Sequence, residues 1–165
     1  MKLSSRINWG IIALMFFAFI ALSVAELRLL QSNTSTLISN ETEKALASYT
    51  KAANATLASS QTKSMMLSVV AETLAARPSI ASANVTDEEG NVSVSHESAS
   101  TGPIPSWFSL IDPAPAFKKR IALPNNDSYF VVTSDKHDTY SKFTAIVIKN
   151  ATILSKCYYF NIRSS

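Results

Sequence analysis

The chain has 165 residues, of which 47% are hydrophobic and only 16% are charged, and its formal net charge is +3. This length allows one compact domain, and so low a charged fraction is normal for a membrane-anchored protein. The Lys and Arg residues are scattered along the chain, which argues against a nucleic-acid surface. Cys157 is the only cysteine, so an internal disulfide and a cysteine-based metal site are excluded.

The first predicted element is an apolar helix within residues 1–25. Ile7–Ala25 contains nineteen residues without a charge, about the length that crosses a bilayer core as a helix. Lys2 and Arg6 precede it, so the positive-inside rule predicts a cytoplasmic N-terminus. A cleavable signal peptide is the competing interpretation, because Ser23-Val24-Ala25 has a small-x-small pattern. Helix-forming sequence continues past Ala25 without a break, which favours an uncleaved anchor.

A long juxtamembrane helix is predicted over residues 26–60. Neither proline nor glycine occurs between Glu26 and Ala58, and apolar or small residues recur at close to helical spacing. Such a helix would be roughly 50 Å long, which is too long to lie wholly on one small domain. Its thin apolar stripe fits packing against a second copy of the chain, as in a homodimer. The alternative is that its second half lies over its own sheet.

Residues 61–144 are predicted to form an α+β domain of the PAS-like sensor type, with an antiparallel sheet and flanking helices. We predict two further helices, the first with Met65, Met66, Val69, Val70 and Leu74 on one side and the second capped by Asp135. We expect Val92 and Val94 to face the core. The predicted elements are a helix over Thr62–Ala76, strands over Ile80–Thr86 and Val92–His96 joined by the acidic turn Asp87–Gly90, strands over Phe117–Leu123 and Ser128–Ser134 joined by a turn at Pro124–Asp127, and a helix over Lys136–Thr144.

The segment GPIPSWFSLIDPAP, residues 102–115, connects the two predicted strand pairs. Four prolines flank its Trp-Phe pair. Because of this position, one ring is expected to close the core of the sheet, a burial worth a few kcal/mol. We expect Phe108 and Leu110 to face inward and Trp107 to be exposed as a candidate for contact with a partner.

The chain resembles the LapD/MoxY N-terminal periplasmic domain of bacterial membrane signalling proteins over roughly residues 1–144. The resemblance rests on the anchor with its long helix and on the sequences IASANVTDEEGNV, IPSWFSLI and YFVVTSDKHDTYSKF. Its most specific part is Pro105, Trp107, Phe108 and Leu110. The loop before the tryptophan matches the family only in part, at Ser100-Thr101-Gly102.

This resemblance implies a protein of the bacterial inner membrane, with its sensor domain in the periplasm and with a homodimeric state. In the family a histidine kinase of a two-component system or a cyclic-di-GMP domain is the effector, reached through a second membrane helix and a HAMP helix pair. With only one predicted anchor, this chain is expected to be single-pass. In one branch of the family the segment around the tryptophan binds a periplasmic protease. By resemblance, Trp107, Phe108 and Pro105 are therefore the candidate residues for binding a periplasmic protein partner. The resemblance implies no cofactor.

Residues 145–165 form an atypical tail, AIVIKNATILSKCYYFNIRSS. Lys149 and Lys156 interrupt it, so no uncharged apolar run of 18 or more residues remains. The tail is either a degenerate or frameshifted second membrane segment, or a marginal membrane segment whose lysines snorkel. No HAMP, kinase or cyclase motif follows, so we interpret the chain as a truncated sensor module without its effector.

Neither an enzyme active site nor a metal site is predicted. Three glycines in the whole chain cannot form a phosphate-binding loop or a nucleophile elbow. His96 has no second histidine at helical spacing, and no serine has a base nearby in sequence. His137 is expected to belong to a capping cluster at a helix start, with Asp135 and Asp138. The acidic turn lacks the ligand spacing of a calcium loop.

Two other functions stay open. One is a short anchored extracytoplasmic binding protein. The other is a glycosylated eukaryotic surface protein, because the chain contains seven Asn-x-Ser/Thr sequences. Two of these, at Asn84 and Asn91, fall in predicted strands, and the lack of disulfides is more typical of a bacterial periplasmic domain.

Overall fold

The computed structural model describes residues 2–98, 102–124 and 127–164. The protein is α+β, as predicted, with a long apolar N-terminal helix followed by a four-stranded antiparallel sheet and flanking helices. Asn125 and Asn126 of the predicted turn and Ser100 and Thr101 of the loop before the tryptophan lie outside the described residues. In chain order the elements are α1 (Lys2–Ala55), α2 (Ser60–Ala75), β1 (Ile80–Asp87), β2 (Val92–Glu97), α3 (Phe108–Ile111), β3 (Lys118–Ala122), β4 (Ser128–Ser134) and α4 (Lys136–Ser164).

These elements divide into two compact units. The helical unit contains Met1–Gln31 and Tyr140–Ser165, and the sheet unit contains Ser32–Thr139. Because α1 and α4 are continuous helices, each contributes residues to both units.

The first long helix, α1, ends in a left-handed turn. Leu57 has a φ of 47°, and the N–H of Ala58 donates to the carbonyl of Ala53 at 3.2 Å. This six-to-one hydrogen bond is the Schellman pattern that closes many helices, usually with glycine in the left-handed position. Leucine there carries the steric cost of its Cβ, and its side chain is 91% exposed, so it gains little from packing.

The core of the sheet unit lies between one face of the sheet and two helices. The strand order is β2-β1-β4-β3, and each neighbouring pair is antiparallel. Side chains alternate along a strand, so Ala83 and Val85 of β1 share a face with Phe130 and Val132 of β4. The helical residues buried with them are Ile38, Leu46, Tyr49 and Ala53 of α1 and Leu67, Ala71, Leu74 and Ala75 of α2. The second half of α1 thus lies over its own sheet, which was one of the two predicted arrangements.

The helix α2 begins at a serine cap and ends before a proline. The N–H of Thr62 donates to Oγ of Ser59 at 3.3 Å, and Arg77-Pro78 follows the last turn. The side of α2 predicted to be buried is only partly so. Met65 and Val69 are exposed, because the buried face is centred on Leu67, Ala71 and Leu74.

The expectation for β2 is wrong at one of its two valines. Val94 is partly buried against the core, but Val92 is 53% exposed. The register explains the difference: Val85 pairs with Val94, whereas Thr86 pairs with Val92, so β2 carries one extra residue, Ser93. This bulge moves Val92 to the opposite face of the sheet.

The final helix is much longer than predicted. Asp135 does cap it, since its Oδ1 accepts a hydrogen bond from the N–H of His137 at 2.9 Å. The helix was predicted to end at Thr144, yet α4 continues to Ser164. Residues 136–164 contain neither proline nor glycine, so nothing in the local sequence stops the helix.

The left-handed turn after α1 yields a stability prediction. Leu57→Gly should raise the free energy of unfolding by about 0.5–1 kcal/mol, because glycine adopts this φ without a Cβ clash. The unfolding temperature of the full chain in detergent micelles, followed by circular dichroism, should rise by about 1–4 °C. Leu57→Ala is the matched control: it keeps the Cβ and should not stabilise. Equal effects of the two substitutions would contradict the assignment of strain.

Candidate functional site

The proline-rich insert, Gly102–Phe117, joins strands at opposite edges of the sheet. Because β2 and β3 are the outer strands, the chain between them must pass from one edge to the other. Along this path it makes hydrogen bonds and close contacts at the end of β4 and the start of α4. The insert is therefore held by the part of the fold where the strand-to-helix junction lies.

Two groups of polar contacts hold the second half of the insert. Nζ of Lys136 donates to the carbonyl of Asp112 at 3.1 Å and lies 3.8 Å from its carboxylate. Asp112 is buried, so this contact is partly shielded from water. The N–H of Phe117 donates to Oγ of Ser134, and the N–H of Ser134 donates to the carbonyl of Phe117, both at 2.8 Å.

The first half of the insert approaches α4 closely at Gly102. A Cβ atom at this position would lie 2.9 Å from Nε2 of His137, closer than real Cβ contacts occur. A side chain at position 102 would therefore force the His137 ring to move away from the insert. His137 supports the insert in this way, while its backbone N–H takes part in the predicted cap.

The tryptophan lies on the outside of a turn that buries the phenylalanine beside it. The N–H of Phe108 donates to the carbonyl of Pro105 at 3.1 Å. Phe108 is 1% exposed and Trp107 is 48% exposed, and their rings meet edge to face with centroids 6.1 Å apart. The indole is thus supported from below by a buried ring, and one of its surfaces faces solvent. Of the three predicted partner-binding residues, Trp107 is exposed, Pro105 is half-buried and Phe108 is inaccessible.

Leu110 does not face inward as expected, because it is 84% exposed. The reason is geometric: at 100° per residue, Phe108 and Leu110 point about 200° apart on a helical turn, so only one can be buried. Leu110 is instead one of five exposed large apolar residues of the insert. We call these residues together the insert surface; they are Ile104, Trp107, Leu110, Ile111 and Phe117.

The acidic turn is closed by its own hydrogen bonds. Oδ1 of Asp87 accepts from the N–H of Asn91 at 2.7 Å, and Oδ2 accepts from Nδ2 of Asn91 at 3.1 Å. Gly90 has a φ of 89°, as the predicted turn requires. Within the described part of the chain, no group of three or more His, Cys, Asp or Glu residues could hold a metal ion.

The hydrogen bonds of Asn91 lower the pKa of Asp87 below its ordinary value. The backbone N–H is the largest cause and the side-chain amide is the next. Because the folded state binds this proton more weakly, the turn is stabilised above the unfolded-state pKa. That contribution is lost as the pH falls through the folded-state pKa.

The structure contains a histidine–serine contact that the sequence patterns do not predict. Nε2 of His96 lies 3.0 Å from Oγ of Ser68, joining the edge strand β2 to the middle of α2. The two residues are 28 positions apart, so only the packing of α2 on the sheet brings them together. The serine lies within a regular helix, and the hydrogen bond ties that helix to the edge of the sheet.

Two of the Asn-x-Ser/Thr sequences are poorly placed for glycosylation. The side-chain oxygen of Asn84 is buried within the sheet. Asn150 is buried in the helical unit, where its Nδ2 lies 3.2 Å from a carboxylate oxygen of Glu26. Asn126 lies outside the described residues.

Comparisons with protein families, with characterised proteins and with solved structures found no match to this chain.

The acidic turn provides a pH-dependent prediction. Asn91→Ala removes the side-chain hydrogen bond but keeps the backbone one, so the pKa of Asp87 should rise part of the way to its ordinary value. Carboxyl ¹³C shifts measured against pH will report this, with Asn54→Ala on the surface of α1 as the control. An unchanged Asp87 titration in Asn91→Ala would contradict the assigned cause.

Proposed function

We propose that this chain is a membrane-anchored input module of a bacterial signal-transduction protein. Its N-terminus would lie in the cytoplasm, α1 would cross the inner membrane, and a PAS-like sheet domain would lie in the periplasm. The observation that carries the proposal is α1 itself. One unbroken helix includes an uncharged apolar segment and then the residues that form the core of the sheet unit.

The apolar segment of α1 supports membrane anchoring. This helix is long and apolar enough to cross a membrane. Large side chains along it, including Leu14 and Phe17, are exposed in the isolated chain. Exposure of so large an apolar surface to water is unfavourable, and a bilayer would cover it.

The continuity of α1 supports a role in transmitting a signal. Ile38, Leu46 and Tyr49 are buried on the sheet in the same helix that begins with the apolar segment. A change in how these residues pack on the sheet therefore has a direct covalent route to the membrane segment. Small shifts of packed helices are a known form of switching. A histidine kinase or a cyclic-di-GMP domain, as the family resemblance implies, would be the receiver of this movement.

A groove between α1 and α2 supports the homodimer that the long helix predicts. It has a volume of about 770 Å³ and is lined mainly by apolar residues, among them Tyr49, Met66 and Val69. At its rim, Nη1 and Nε of Arg77 each lie 2.7 Å from an oxygen of Glu41. An apolar groove with a polar rim is the general form of a helix-binding surface.

The insert surface supports binding of a periplasmic protein. The two prolines before Trp107 restrict the backbone, and the tethers of the insert hold its ends, so little entropy remains to be lost on binding. Tryptophan is also the residue that most often dominates binding energy at interfaces. This surface equally favours the second candidate, an anchored extracytoplasmic binding protein without a signalling role.

The topology can be tested with a single introduced cysteine. In Ser109→Cys with Cys157→Ser, a membrane-impermeant maleimide should label intact spheroplasts, because Ser109 is exposed in the insert. Labelling only after lysis would place the sheet domain on the cytoplasmic side and overturn the proposal. A mature chain that begins at Glu26 by mass spectrometry would show that the segment is a cleaved signal peptide.

Anchoring by α1 can be tested separately. Phe16→Lys with Phe17→Lys puts two charges into the apolar segment, each costing about 2.5–3.5 kcal/mol at a membrane centre. Most of the protein should then leave the carbonate-resistant membrane fraction. The matched control, Leu29→Lys with Leu37→Lys, changes exposed leucines of the same helix beyond the segment and should stay in the membrane.

The role of the tryptophan gives a further prediction. Trp107→Ala should reduce photo-crosslinking of the insert to periplasmic proteins at least about tenfold, as expected for an interface hot spot. The far-ultraviolet circular dichroism, which reports secondary structure, should not change, because Phe108 is the buried ring of the pair. Met65→Ala, an exposed change on α2 outside the groove between α1 and α2, is the control. If Trp107→Ala unfolds the domain, the indole is part of the core and the partner contact is wrong.

A further inference from the structure

The second half of α4 carries cations at a seven-residue spacing. Lys149, Lys156 and Arg163 are all exposed and lie on one face of the helix, because seven residues are nearly two full turns. We call these three residues the basic row. Each step along the row is about 10 Å, so the row is about 21 Å long.

The opposite side of α4 packs against α1 within the helical unit. Nδ2 of Asn150 lies 3.4 Å from Oγ of Ser23 and 3.2 Å from Oε2 of Glu26, and Asn150 is 5% exposed. Further along, Leu154 and Tyr158 line a cleft of about 420 Å³ together with residues of α1. Leu154 and Tyr158 are about 140–180° around the helix from Lys149, so the basic row faces away from α1.

These contacts determine which part of α1 each cation lies next to along the helix axis. The helices are antiparallel, since Asn150 meets Ser23 and Glu26 whereas the cleft that includes Tyr158 extends to Ile12. Lys156 lies between Leu154 and Tyr158 in sequence, and therefore beside the middle of the uncharged Ile7–Ala25 segment. If α1 crosses the membrane as proposed and α4 stays packed beside it in the bilayer, Lys156 is level with the centre of the hydrocarbon core, about 15 Å from either surface.

The helical unit has no counter-charge for this lysine. Glu26 is the only acidic residue in the unit by sequence, and it lies at the Asn150 end. Lipid headgroups could neutralise Lys149 and Arg163, which lie nearer the membrane surfaces, but they do not reach the centre of the bilayer. A second copy of the chain would present the same cations and repel the row. An ionisable residue at this depth is costly unless it is paired with an opposite charge.

We propose that the basic row is the docking face for a membrane helix of a different protein that carries a carboxylate at mid-membrane depth. An Asp or Glu of that helix would pair with Lys156, and the cations at the two ends of the row would set its register. This inference rests on the proposed membrane anchoring. It adds to that proposal a partner within the membrane and assigns the homodimer to other faces of the chain.

The test uses the full chain with a donor fluorophore at its N-terminus in phosphatidylcholine vesicles. The probe is an acceptor-labelled poly-Leu-Ala transmembrane peptide with one central Asp, and the reference peptide has Leu at that position. Energy transfer should show at least about tenfold tighter association with the Asp peptide, the effect expected of a paired charge in a low dielectric. Lys156→Leu should abolish this preference, and Arg28→Leu on α1 should preserve it.

The outcomes separate the two proposals. Lys156→Leu makes α4 more apolar, so a lost preference in this variant cannot come from failed insertion. The protein could float with the vesicles and yet bind the Asp and Leu peptides equally. That result would overturn the docking face alone. Failure of the protein to float with the vesicles would overturn both the anchoring and the docking face. If added phosphatidylglycerol removes the Asp preference, the row binds anionic lipid and the docking proposal is wrong.

Discussion

The structure depends on the packing of the second half of α1 across the apolar face of the sheet. Ile38, Leu46 and Tyr49 share with α2 the covering of a face that would otherwise expose Ala83, Val85, Phe130 and Val132 to water. A four-stranded sheet of this size needs such a cover to be stable. Burial also raises the pKa of Tyr49, because the phenolate form would lose its hydration there. The same helix includes the apolar segment, so the cover of the sheet and the candidate anchor cannot be separated in sequence.

The polar contacts of the fold are concentrated where β4 passes into α4. Asp135 caps the helix, Lys136 holds Asp112 and Ser134 holds Phe117, so consecutive residues each fix a different part of the chain. Such a junction couples the position of the insert to the start of α4. The exposed Trp107 is thus displayed by a segment with fixed ends rather than by a free loop. This arrangement suits recognition, since a restrained segment loses less conformational entropy on binding.

The two long helices carry different surfaces outside the core. In the sheet unit, α1 and α2 leave an apolar groove with a bidentate ion pair at its rim. In the helical unit, α4 turns its cations away from α1 and its amide at Asn150 towards it. A polar residue buried between two helices is a common means of fixing their register. Lys149 and Lys156 interrupt the apolar sequence of residues 145–165. They lie on one side of α4, and the other side of α4 packs against α1.

Local patterns in the sequence were enough for the types of all elements except α3, for the strand limits and for the cap at Asp135, because spacing, prolines and capping residues act over a few positions. The apolar N-terminal helix and the acidic turn followed from the same short-range signals. Tertiary structure decided the rest. The bulge at Ser93 turned Val92 outward, the single turn of α3 buried Phe108 and exposed Leu110, and packing brought His96 to Ser68. The direction of the α4 cations also depends on a neighbour more than a hundred residues away in sequence, which no local pattern can encode.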